Sequence, residues 1–125
     1  MIVRPQQMAV FEQEAFRTMQ ERLIAHVRRH YPAEVKHLGS EELKQEVGIG
    51  MRRAQEYSLT RETTIGAFVS LRFVIGPEFD HQPDIHEALS DQKLSPDYRM
   101  ETLMDRTQPD HWTEAIKGKR KPADP

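Results

Sequence analysis

The sequence predicts an all-α fold: a single-domain bundle of about five helices, with a long N-terminal helix and a central apolar one. Three observations carry that expectation. The stretch from Gln6 to His30 has no Gly or Pro and repeats apolar side chains at helical spacing. Ser40, Thr60 and Ser95 each stand as a capping residue immediately before a helix-forming run. No two strand-like segments of matching quality exist to pair into a sheet. With 125 residues the chain has room for one compact domain. It is expected at residues 1–116, with Lys117 to Pro125 (KGKRKPADP) as a disordered basic tail.

In the first helix Met8, Phe11, Ala15, Met19, Leu23 and Val27 fall on one face, which Phe16 and Ile24 widen. Pro5 suits the first turn, where its missing N–H would be unpaired anyway. At about 3.6 residues per turn this is close to seven turns. Pro32 then interrupts, and residues 33–38 allow only a short helical turn before Gly39. Ser40 is placed as an N-cap, with Glu41 and Glu42 at the positive end of the next helix dipole. That helix runs from Glu41 to about Tyr57 and turns Leu43, Val47, Met51 and Ala54 inward. Gly48 and Gly50 each weaken it by about 1 kcal/mol relative to Ala. Two glycines so close together read as tight helix packing with another backbone passing near. A phosphate-binding glycine loop would need a preceding strand, and the sequence offers none.

Thr60 caps a third helix from Arg61 to Ile75. From Ile65 onward this segment is apolar nearly all round, through Phe68, Val69, Leu71, Phe73 and Val74, which places it at the centre of the bundle. A buried strand over residues 68–75 is the rival reading, and the lack of a partner strand decides for helix. Arg72 inside this run requires a carboxylate if buried, and Glu78 and Asp80 are nearest in sequence. Gly76-Pro77 is a helix stop, and Glu78 to Pro83 is a loop. A short helix from Asp84 to Ser90 turns Ile85, Ala88 and Leu89 inward, with Asp80 or Asp84 as its cap. Ser95-Pro96-Asp97 is a strong helix start, leading to a helix over Tyr98 to Arg106 with Leu103 and Met104 available for packing. After Pro109 the signal fades, and Trp112, Ala115 and Ile116 offer one last docked turn.

Composition excludes several function classes. Lys and Arg total 18 against 20 for Asp and Glu, a net charge of −2, which argues against nucleic acid or an anionic membrane as partner. Where a helix-turn-helix reader would place its polar recognition helix, this chain has its greasiest one. The absence of cysteine removes disulfides, thiolate zinc sites and cysteine nucleophiles together. No run approaches the ~18 apolar residues of a membrane span, and the first residues lack the apolar core of a secretory signal, so a cytoplasmic location is expected. No nucleophile elbow, P-loop or dinucleotide-binding glycine pattern is present.

The chemistry-bearing residues concentrate in Asp80-His81-Gln82-Pro83-Asp84-Ile85-His86-Glu87. Five of these are metal-ligand types at a spacing that matches no standard motif, since His86-Glu87 lacks the second histidine of HExxH. A metal-dependent enzyme built on this loop is an alternative; a solvated, helix-capping loop is the plainer reading. His26 and His30 lie four apart and could chelate with His37, or sit on a wet face beside Arg28 and Arg29. What remains is protein–protein interaction. Six methionines suit an adaptable apolar surface. Phe79 between Glu78 and Asp80 reads as an aromatic anchor with acidic neighbours, or as a plug that folds back into the core. The expected partner-binding set is Glu78, Phe79, Asp80, His81 and Asp84. The expected structural set is Gly48, Gly50, Phe68, Arg72, Phe73, Gly76 and Pro77. No catalytic residue, metal or cofactor is assigned.

Tyr57-Ser58-Leu59-Thr60-Arg61-Glu62, the apolar helix, Gly76-Pro77-Glu78-Phe79-Asp80 and Ser95-Pro96-Asp97-Tyr98-Arg99-Met100 follow one another in an order that resembles a group of small helical proteins. These are encoded beside toxin and spike genes in bacterial type VI secretion loci. With the long first helix the resemblance covers about two-thirds of the chain, and its motifs are structural. It implies a non-enzymatic accessory role in which the protein loads or stabilises a secreted effector as adaptor or chaperone, or neutralises a toxin as an immunity protein. An immunity protein would place the loop from Glu78 to Asp84 in the toxin's cleft; an adaptor would offer an apolar groove along the first helix.

Overall fold

In the computed structural model, residues 5–120 are described, with side chains described for residues 12–116. Among them every regular element is helical, as expected. The helices are α1 (Pro5–His30), α2 (Pro32–Val35), α3 (Ser40–Glu56), α4 (Glu62–Val74), α5 (Pro83–Leu89), α6 (Pro96–Glu101), α7 (Leu103–Arg106) and α8 (Pro109–Arg120), with a 3-10 turn at Phe79–His81. Five of them have seven residues or more. The chain gathers into two compact units, residues 1–48 and 49–125, divided inside α3.

The first unit holds α1, α2 and the start of α3. Leu23, Val27, Leu43 and Val47, expected inward positions of α1 and α3, are buried there together with Val35 of α2. Met19 and Phe16 are half-buried and Ala15 is exposed, so among the described positions of the expected stripe burial is complete only at Leu23 and Val27. Met8 and Phe11 lie outside the described side chains. Gln20 is buried and donates from Nε2 to the Lys44 carbonyl at 2.8 Å. A Cβ on Gly48 would stand 3.0 Å from that same Nε2. The close neighbour of Gly48 is therefore a side chain, not the passing backbone expected. Arg28 donates to the Ser40 hydroxyl at the start of α3.

The second unit is built around a chain of rings. Phe68 on α4 lies 5.0 Å from Phe79 and 5.6 Å from Tyr57, and Phe79 stacks on Trp112 of α8 at 6.0 Å. Burial of Met51, Ile65, Val69, Ile85, Leu89 and Leu103 completes this core. Trp112 donates its ring N–H to Thr107, whose hydroxyl donates in turn to the Leu103 carbonyl, so the buried indole is satisfied. A Cβ on Gly50 would meet Val69 at 3.1 Å and Arg72 at 3.3 Å, so α3 sits close against α4 here, again through side chains.

The segment over residues 68–75 is helix, so the strand alternative falls. It is not wrapped on every side, however. Thr64, Ile65, Phe68, Val69, Ser70 and Arg72 are buried, while Ala67 and Val74 are exposed and Leu71, Phe73 and Ile75 are half-buried. Three polar residues thus occupy the inner face, and apolar ones stand on the outer face. α3 ends on Ser58, whose φ of 66° takes the left-handed place usually given to Gly, while the Leu59 amide returns to the Ala54 carbonyl. α4 ends at Gly76 with φ of 154°, which glycine adopts without penalty, and Pro77 prevents continuation.

Capping departs from expectation at α4. Arg61, not Thr60, holds the N-cap position, and its side chain makes no cap bond. The cap comes from across the fold, from Asp97 in the first turn of α6. Asp97 accepts from the Thr60 and Arg61 amides at 3.1 and 3.2 Å and from the hydroxyls of Thr60 and Thr64. Partial burial pushes this carboxyl up, and the bonds from Thr64, Thr60 and the two amides outweigh it and hold it well below the usual range. Arg61 adds an ion pair with Glu101 at 2.6 Å. α5 is capped by Gln82, which accepts from the Ile85 amide at 2.8 Å, in place of the expected Asp80 or Asp84. The expected helix over residues 98–106 breaks at Thr102, where amide and hydroxyl both return to the Tyr98 carbonyl. The last turn is instead a full helix, α8, running through Arg120, so residues 117–120 extend it where a tail was expected. Residues 121–125 lie outside the described ones.

Two consequences are measurable. Gly50→Val forces a branched side chain against stiff, buried Val69 and is expected to cost about 1–3 kcal/mol by urea denaturation, whereas Gly39→Ala, with only Glu42 nearby at 3.6 Å, stays close to neutral. Asp97→Ala is expected to cost about 1–2 kcal/mol at neutral pH, the usual loss for an N-cap. Because the folded-state pKa of Asp97 is depressed, its contribution is complete above the unfolded value of about 4 and is lost as pH falls below it. Acid titration of stability should therefore be shallower in Asp97→Asn than in the parent.

Candidate functional site

The loop expected to carry binding residues turns inward at its centre. Phe79 is 1% exposed and Asp80 fully buried, so neither is a surface anchor. Phe79 is the core plug, held between Phe68 and Trp112. The physical reason is local: the stop at Gly76-Pro77 leads into a 3-10 turn whose bonds, His81 to Glu78 and Gln82 to Phe79, direct the middle residues into the unit. Glu78, His81 and Asp84 remain exposed. Of the five expected partner-binding residues, three stay available and two are structural.

A buried carboxylate needs charged or hydrogen-bonding partners. Asp80 finds them on α3, where Arg53 and Tyr57 stand four residues apart and share a face. Arg53 donates to Asp80 Oδ2 in a short contact, and the Tyr57 hydroxyl donates to the same oxygen at 2.8 Å. Asp80 Oδ1 and Arg53 Nε, both buried, have no hydrogen-bond partner, so the pairing converges on one oxygen. Burial disfavours the Arg53 charge, and the hydrogen bond and charge of Asp80 outweigh it and raise its pKa. Burial, then the Asp80 hydrogen bond and charge, push the Tyr57 phenol far above its ordinary range, so it stays a donor. Arg72, the expected partner of Asp80 or Glu78, donates from Nε to the Pro77 carbonyl at 3.2 Å and so ties α4 to the stop that follows it.

Two histidines flank this network. Arg53 contacts His81 Nε2 at 3.0 Å, and Tyr57 contacts His86 Nδ1 at 3.0 Å. His86 and Asp84 open onto a depression of about 730 Å3 in the second unit, whose wall also includes Glu87, Asp91, Lys93 and Arg106. His111 on α8 closes one side, 3.2 Å from Asp84. Arg106 is spent on structure, donating to the Thr102 hydroxyl and to the carbonyls of Ala88 and Arg99, all at 2.9 Å, with Asp91 3.7 Å away. Among the described residues no three His, Asp or Glu converge as metal donors. The His26 and His30 rings lie 4.5 Å apart, tilted by 44° to one another.

Sequence reasoning did not single out Arg53, Tyr57, Arg106 or His111. Only the first two left a signal, a cation and a phenol four apart at the end of an otherwise apolar helix face. Compared with protein-family models, curated proteins and solved structures, the chain matches none.

Asp80→Asn takes the charge partner from Arg53, and Tyr57→Phe takes one donor from the buried Oδ2. Asp80→Asn is expected to lower stability by about 3 kcal/mol and Tyr57→Phe by about 1–2 kcal/mol. The double variant should lose less than the two combined, because both act on one oxygen; a denaturant-based double-mutant cycle reads this directly.

Proposed function

We propose that this protein is a non-enzymatic binding accessory of a bacterial toxin or effector secretion system, acting in the cytoplasm as adaptor or chaperone for an effector protein. The secretion context is supported by the resemblance of residues 57–103 to accessory proteins of type VI secretion loci. The observation that carries the binding role is the charged depression of about 730 Å3 along α5, backed by a wall that Phe79 and Asp80 pin into the core. Rigid backing under a polar, open surface favours recognition, since little ordering cost remains at docking. Behind it Asp80, Arg53 and Tyr57 bond to one another and hold the turn that leads into α5. No described helix is long and apolar enough to cross a membrane.

Immunity against a cognate toxin is the second reading. Exposed Glu78 and Asp84 favour it, since acidic side chains on a rigid turn can enter a basic cleft.

Reversing charge on the wall, with Asp84→Lys and Glu87→Lys together, is expected to weaken capture of the effector encoded by the neighbouring gene at least about tenfold. Unchanged capture overturns the site. Loss of secretion without toxicity rescue supports the adaptor role, and rescue without any effect on secretion supports immunity.

A further inference from the structure

We propose that the depression along α5 is a socket for an arginine side chain of the bound effector, with His86 Nε2 and the Glu87 carboxylate as its acceptors. This rests on the binding reading above and names the chemistry that the site selects.

The argument begins with hydrogen counting. The Tyr57 hydroxyl has one hydrogen, and Asp80 Oδ2 takes it at 2.8 Å. The contact between Tyr57 and His86 Nδ1 at 3.0 Å must then run the other way, with Nδ1–H donating to the phenol oxygen. A neutral imidazole carries one N–H, so His86 Nε2 is left as a lone pair on the wall of the depression. The buried carboxylate thus fixes, through Tyr57, which nitrogen of an exposed histidine can accept.

The same counting settles the neighbours. Arginine only donates, so His81 Nε2 accepts from Arg53 at 3.0 Å, is already occupied, and is no second acceptor. The Gln108 amide donates to His111 Nδ1 at 3.0 Å, so Nε2 of that ring carries the hydrogen and donates to Asp84 at 3.2 Å. That bond positions Asp84 without cancelling its charge. Three carboxylates, Asp84, Glu87 and Asp91, face Lys93 and Arg106, and Arg106 is consumed by Asp91 and by backbone carbonyls. A negative balance with a neutral acceptor beside it fits a cation that also donates in several directions. Guanidinium does this in a planar fork, whereas ammonium is a compact point charge.

Long-range proton–nitrogen NMR on the intact protein tests the socket without the effector. The free protein is expected to show His86 protonated on Nδ1, and Tyr57→Phe to let that tautomer drift. Blocked arginine (N-acetyl-arginine N-methylamide) should shift His86 Nε2 and bind at least about tenfold more tightly than to Glu87→Gln; blocked lysine should bind more weakly. A proton on Nε2 in the free parent protein, no shift with blocked arginine, or equal binding of lysine overturns the proposal. Effector capture that persists without arginine binding sinks the socket alone, and arginine binding without effector capture sinks the accessory role alone.

Discussion

The burial of Asp80 is the constraint on which the second unit depends. A carboxylate without solvent is costly by several kcal/mol unless it is paired and hydrogen-bonded. Its partners, Arg53 and Tyr57, both belong to the last turns of α3, so satisfying it fixes α3 against the turn that follows α4. That turn carries Phe79 next to Asp80, and the two residues enter the core together, one into a ring stack and one into a polar knot. Ion pairing and aromatic packing therefore secure the same three-residue turn from two directions. The orientation of α5, which begins two residues later, follows from it.

A second long-range bond performs the same service at the other end of α4. Asp97 lies far along the chain from the amides it caps, so α4 starts properly only when α6 is in place. Helix formation in this unit is for that reason tertiary at both ends: the cap is borrowed, and the stop is tied back by Arg72 to Pro77. A short helix such as α6 has little stability of its own, and the exchange benefits both.

The helical class and the bounds of α1, α3 and α4 were legible because apolar periodicity and the breakers at Pro32, Gly39 and Gly76 are local signals. The inward positions Leu43, Val47, Met51 and Ala54 are all buried, since one helix face was enough to read them. Capping was misread where the partner is distant in sequence. Thr60 looks like an N-cap, and nothing beside it reports that Asp97 will take that role. The full length of α8 is not legible although Pro109-Asp110 repeats the start signal seen at Pro96-Asp97, because among its described side chains only Trp112 is buried, with Ala115 and Ile116 half-buried. Phe79 reads in the sequence as an anchor or a core plug, because an aromatic between two acids in a loop is ambiguous without the ring stack that receives it; the structure makes it the plug and buries Asp80 beside it. Of the two carboxylates expected for Arg72, Asp80 is held by Arg53, and Arg72 itself donates to the Pro77 carbonyl.

The two residues that left the expected surface set are what make the remaining three useful. An exposed Asp84 on a floppy loop would lose on binding much of what it gains, through the entropy of ordering. Here Asp84 opens a helix capped by Gln82 and is held by His111, and the turn before it is anchored by Asp80. Polar groups that look like reaction machinery in the sequence, an Asp, a Tyr and two His within reach of one another, are spent on holding that surface still. The Asp80 cluster fixes the turn from within, and the exposed side chains of Glu78, His81 and Asp84 stand on a backbone that is already held.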